Sequence, residues 1–182
     1  MTDYTKIDFS PLIEAAGPSA EGGGNSAGEV VTHSFVRDIA LPSGGTMALI
    51  TLDNGHDYTR PNTLGPLTLQ ELSGVLDELT ARAASGEIRA VGITGKQFIF
   101  AAGADLSKVS SLGTAENARL MAQYGHFVLG KFRALGVPSF AFVNGLALGG
   151  AMEIALNCSY RTVDSSAAAL AFPEVFVAGY PY

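Results

Sequence analysis

Residues 143–158 place a single charge, Glu153, inside a run of small and apolar side chains. The run reads as the end of a buried strand, a glycine turn and a short helix with Glu153 in its first turn. The pair Gly149-Gly150 lets a ligand approach the backbone closely, because no Cβ stands in the way. The first N–H groups of a helix lack intrahelical partners and carry the positive end of its dipole. They are placed to hold an oxygen that gains negative charge during a reaction. Glu153 follows Gly150 by three residues, so both lie on one helix face.

The rest of the chain supplies the elements such a turn needs around it. Residues 30–40 and 46–53 are expected as two strands of a hairpin around Pro42-Ser43-Gly44-Gly45. Leu69, Leu72, Leu76, Leu79 and Ala83 recur at steps of three and four, which predicts a helix entered at Pro66 and closed near Gly86. Short strands are expected over 89–95, 98–102, 139–143 and 160–163, with a helix over 114–135 capped by Thr114. Strands alternating with helices indicate an α/β fold with parallel pairing. Residues 1–29 show no sustained periodicity, and Gly17 to Ser26 have linker composition. They are expected to form a flexible N-terminal extension, with the folded core over 30–182.

Charge narrows the function classes. A formal net charge of −6 and a pI near 4.9 disfavour nucleic acid and anionic membranes as partners. Residues 1–20 hold acidic residues and no apolar core, so no secretory leader is expected and a cytoplasmic location is. The one cysteine, Cys158, cannot close an internal disulfide and is expected to be buried in an apolar helix. His33, His56 and His126 lack metal-ligand spacing, so no metal is expected and each is read as structural.

Three segments combine backbone donors or a carboxylate with apolar surroundings. Ala101-Ala102-Gly103-Ala104-Asp105 is a strand-to-helix turn like that at Gly149-Gly150. Two such turns facing each other would make a two-donor oxyanion hole for a thioester carbonyl. Glu153 and Glu174 are two carboxylates in different surroundings, a pair that can divide proton delivery and removal.

These segments together resemble the enoyl-CoA hydratase/isomerase (crotonase) superfamily. Arg60-Pro61-Asn62-Thr63-Leu64-Gly65 is similar to the family's Arg-Pro-x-x-Leu-Asn loop, with Gly65-Pro66 in place of Asn-Ala. The segment from Phe100 to Leu106 resembles its Phe-x-x-Gly-x-Asp-Leu turn. Asn144-Gly145-x-Ala147-x-Gly149-Gly150-x-x-Glu153 resembles the helix with a catalytic glutamate, and Phe172-Pro173-Glu174 the second such glutamate.

The resemblance implies a crotonase-like spiral of ββα turns, with the family's C-terminal helical region missing after Tyr182. It implies that the N–H groups of Ala104 and Gly150 hold a thioester oxygen. Thr63, Leu64, Ala102, Gly103, Asp105 and Leu106 would lie along coenzyme A, which is substrate rather than cofactor. Glu153 and Glu174 would be the catalytic pair, 21 residues apart. Having both favours hydration of a 2-enoyl-CoA, with Glu153 at the positive helix end as the base and Glu174 delivering the proton to Cα. A Δ3,Δ2-enoyl-CoA isomerase and a non-catalytic acyl-CoA-binding or assembly remnant are the alternatives. A homotrimer or a dimer of trimers is the assembly the resemblance implies.

Overall fold

The computed structural model describes residues 3–17, 28–104 and 114–173. A 3-10 turn, Tyr4–Lys6, and helix α1, Ser10–Ala15, precede strands β1, His33–Ala40, and β2, Thr46–Asp53. Helix α2 spans Pro66–Ala84, followed by β3, Ala90–Gly95, β4, Phe98–Ala101, and α3, Ala115–Gly130. Then come β5, Ser139–Val143, β6, Gly145–Leu148, α4, Gly150–Asn157, β7, Tyr160–Val163, and β8, Leu170–Ala171.

The strands form a five-stranded sheet in the order β1-β2-β3-β5-β7 and a three-stranded sheet in the order β4-β6-β8. Among the described residues only the β1–β2 hairpin is antiparallel; every other pairing is parallel. The chain repeats one path: β3 then β4, β5 then β6, β7 then β8. Each turn puts its first strand in the large sheet and its second in the small one. Helices α3 and α4 return the chain to the large sheet. This is the α/β, crotonase-like spiral of ββα turns that the resemblance implies.

The α2 stripe is the centre of the core. Leu72 and Leu76 are fully buried, and Leu69 and Leu79 nearly so. Each such leucine stabilises the fold by roughly 1.5–3 kcal/mol relative to an exposed one. Pro66 starts the helix, and Gly65 has no side chain to cap it. Glu29 does so instead, its carboxylate accepting from the N–H groups of Leu67 at 2.8 Å and Thr68 at 2.9 Å. On α3 the predicted cap is made: Thr114 Oγ1 accepts from Asn117 N–H at 3.1 Å.

Two expectations are corrected. Residues 10–15 of the expected flexible extension form α1, whose Leu12 is fully buried. Phe9 puts its ring 4.7 Å from that of Tyr124 on α3. Isolated apolar residues too few for a periodicity signal are enough to dock a short helix on an existing core. In the second case, residues 145–148 are a strand rather than part of a glycine turn. Gly145 is required there because a Cβ would overlap the backbone carbonyl of Phe98 on the neighbouring strand.

Candidate active site

The site is assembled by the exits of β4 and β6, the carboxyl ends of parallel strands where α/β sheets commonly bind ligands. The chain leaves β4 through Gly103, with φ +73°, and leaves β6 through Gly149, with φ +53°. Positive φ is cheap only for glycine. The two exits touch: a Cβ on Gly103 would sit 2.7 Å from Leu148 O and 3.1 Å from Gly150 N. In α4 the first intrahelical bonds are made by Met152 and Glu153, whose N–H groups donate to Gly149 O at 2.8 and 3.1 Å. Gly150 precedes them, so its N–H has no partner within the helix.

The loop after β2 is tied to the same exits by Asn62. This side chain is fully buried. Its Nδ2 donates to Leu52 O at 2.8 Å and Phe100 O at 3.2 Å, and its Oδ1 accepts from Asn54 N–H at 3.1 Å. Its backbone oxygen accepts from Ala102 N–H at 2.8 Å, and Gly103 O accepts from Leu64 N–H at 2.8 Å. Thr63 is held from the other side, its N–H donating to Thr32 Oγ1 at 3.1 Å. Lys96 pins the preceding stretch, donating to Asn54 Oδ1, to His56 O at 2.8 Å and to Arg60 O at 2.7 Å. Burial pushes the Lys96 ammonium below its ordinary pKa, against the pull of Asp53 and Asp57.

Around the touching exits lies a cavity of about 310 Å³. Ala104, Gly150 and Glu153 line it together with Leu64 and Leu69. The opposite wall is one face of α3: Ala118, Met121, Ala122, Gly125, His126 and Leu129. Among the described residues, Glu153 and His126 are therefore the two titratable side chains on an otherwise apolar lining. Such a lining suits an aliphatic chain, and the backbone donors and one carboxylate at its edge suit a carbonyl and a proton transfer.

The structure thus brings Ala104, Gly150, Glu153 and Leu64 to one cavity. Thr63, Ala102 and Gly103 lie in the backbone ties behind it, and the Ala102 N–H is occupied by Asn62 O. Asp105, Leu106 and Glu174 lie outside the described residues. Cys158 is buried as expected, and burial pushes its thiol up to about 11, which keeps it from acting as a nucleophile at neutral pH. Among the described residues no cluster of three or more His, Cys, Asp or Glu is arranged to hold a metal ion. None of their helices is long and apolar enough to cross a membrane.

Sequence reasoning missed two participants. Asn62 is quoted in the first loop motif but is a buried hub, a role that an uncharged amide does not advertise. His126, read as structural, stands on the cavity wall. Its signal was the spacing of four that joins it to Ala118 and Ala122 on one helix face.

Comparison with known proteins agrees with this fold. A family model described as enoyl-CoA hydratase/isomerase matches residues 43–181. The fatty acid oxidation complex subunit alpha of Shewanella amazonensis is 38% identical over 130 residues. That of Shewanella loihica is 40% identical over 130 residues. In each case the match covers 71% of this chain and 18% of the relative, so the chain spans under a fifth of those proteins. Pseudomonas aeruginosa DspI is 30% identical with a TM-score of 0.66, covering 81% of this chain and 55% of that one. An enoyl-CoA hydratase from Bacillus anthracis is 29% identical with a TM-score of 0.63, covering 74% and 48%. A spiral with two touching glycine exits, and a match over most of its length, lead to one statement: the chain belongs to the enoyl-CoA hydratase/isomerase family.

Proposed function

We propose that this chain is an enoyl-CoA hydratase, adding water across the double bond of a 2-trans-enoyl-CoA in cytoplasmic fatty-acid β-oxidation. The observation that carries the reading is the convergence of Ala104, Gly150 and Glu153 on one apolar cavity. The thioester oxygen accepts from the N–H groups of Ala104 and Gly150. Glu153 takes a proton from water as its oxygen bonds to Cβ, and the electron pair of the double bond moves toward the thioester as an enolate. The two N–H groups hold the charge that builds on the oxygen. Glu174 then delivers a proton to Cα, and exchange with solvent resets both carboxyls. Coenzyme A runs past Thr63, Leu64, Ala102, Gly103, Asp105 and Leu106, and the chain assembles as a homotrimer or a dimer of trimers.

Hydration of crotonyl-CoA by the 182-residue chain and by its Glu153→Gln and Glu174→Gln variants tests the reading. Each variant is expected to lose about 10²–10⁴-fold in kcat with its melting temperature kept. A near-parental rate in either variant overturns the division of roles. Turnover of 3-enoyl-CoA without hydration makes the chain an isomerase, and binding without turnover makes it a non-catalytic acyl-CoA-binding protein.

A further inference from the structure

We propose that the segment ahead of the family-matched region completes the substrate cavity: Tyr4, stacked on His126, forms the stop that sets how long an acyl chain the cavity accepts. The inference rests on the acyl-CoA reading of the cavity and adds to it a residue from outside residues 43–181. The 3-10 turn and α1 are docked by α1's buried Leu12 and by Phe9, whose ring lies 4.7 Å from that of Tyr124 and 6.0 Å from that of Phe127. Both partners are on α3, which forms one wall of the cavity. This anchoring brings the Tyr4 ring over the His126 ring, 6.5 Å between centroids and 28° between planes.

The α3 wall has two rows, each with a spacing of four. Met121, Gly125 and Leu129 are half-buried to buried and make the floor; Ala118, Ala122 and His126 are exposed and make the rim. Successive residues in a row are about 6 Å apart along the helix. Only a methyl group projects from the rim at Ala118 and at Ala122, so an extended chain passes them freely. At His126 it meets an imidazole, and the Tyr4 ring behind it limits how far that imidazole can turn away. Along this rim an aliphatic chain therefore gains apolar contact at Ala118 and Ala122 and meets a polar ring at His126.

Equilibrium binding of saturated acyl-CoA thioesters, from butanoyl to hexadecanoyl, tests this without requiring turnover. Affinity is expected to rise about fourfold per methylene within the cavity and then level off at a defined length. His126→Ala and Tyr4→Ala should both move that levelling point to longer chains by at least two carbons. Tyr4→Phe, which keeps the stacked ring, should leave it in place. Parallel length profiles for the parent and both alanine variants overturn the proposal, even if overall affinity changes. If no acyl-CoA of any length binds the parent, this proposal and the hydratase reading fall together. If the levelling point moves as expected and crotonyl-CoA is not hydrated, only the hydratase reading is lost.

Discussion

The five-stranded sheet keeps an unbroken register from β2 into β3, Met47 opposite Ala90 through Leu52 opposite Gly95. The three-stranded sheet slips its register between Ile99 and Ala101 within a single short pairing. Strands of eight residues open the large sheet, while the small one has strands of four, four and two. The small sheet is entered by Phe98, a non-glycine residue at φ +64°, and its first two strands are left through Gly103 and Gly149. At Phe98 such backbone is unfavourable unless its surroundings enforce it, and conformations of that kind concentrate where ligands are bound. The contrast separates two jobs. The centre of the large sheet, β2, β3 and β5, is laid down by side-chain burial, and the small sheet positions backbone N–H groups.

The sharpest way to break this contrast is to put a methyl group where the small sheet's exits touch. Gly103→Ala forces a Cβ to within 2.7 Å of Leu148 O and 3.1 Å of Gly150 N, in a left-handed conformation that alanine resists. The expected result is a loss of hydration of about 10²–10³-fold, the scale of losing one oxyanion donor. The folded state should survive, because the α2 stripe and the large sheet are untouched. Rate and near-ultraviolet circular dichroism measured together check this. Hydration within threefold of the parent shows that the two exits do not act as one site.

The second variant tests the joint between the sheets. Asn144 follows β5, and its Nδ2 donates to Gly95 O at 3.0 Å and Lys96 O at 2.7 Å while its Oδ1 accepts from Gly95 N–H at 3.1 Å. It thereby fixes the turn that delivers the chain from β3 into β4. Asn144→Ala leaves those backbone groups without their partner and is expected to cost about 1–3 kcal/mol. Amide exchange should quicken in β4 and β6 and stay slow in β2 and β3. Equal quickening in both sheets would mean that they are a single cooperative unit rather than a frame and an attachment.

The same contrast explains what the sequence disclosed. The α2 stripe and strands β2 and β5 were legible because burial writes period and alternation into the residues, and β3 because it is a short apolar run; β1 and β7 were legible from β-forming residues between turns, although their side chains are mostly exposed. Strand β6 was not, since a four-residue strand whose first residue must be glycine looks like the turn that follows it. Helix α1 was hidden because docking by Phe9 and Leu12 needs no repeat. At the site, Glu153, Gly103 and the pair Gly149-Gly150 were legible as a charge and small residues out of place. Asn62 was opaque because its work is to satisfy the carbonyls of Leu52 and Phe100, which become neighbours only in the folded chain. His126 was only half legible: its spacing places it on one helix face with Ala118 and Ala122, but nothing in its flanking residues reveals that this face shares a cavity with Gly150.

The smallest expected effect comes from a glycine the large-sheet side does not need. Gly74 lies in the middle of α2, and a Cβ there would meet nothing within 4 Å. Glycine in a helix interior costs about 0.5–1 kcal/mol relative to alanine, mostly through the freedom it has in the unfolded chain. Gly74→Ala should therefore stabilise the protein by that amount and raise the melting temperature by about 1–4 °C, with hydration unchanged. Set beside Gly103→Ala, the same chemical change then stabilises the frame in one region and disables the site in the other. If Gly74→Ala instead destabilised the fold or lowered the rate, α2 would be carrying a close approach on its outer face. The division between a frame held by burial and a site held by backbone geometry would then have to be redrawn.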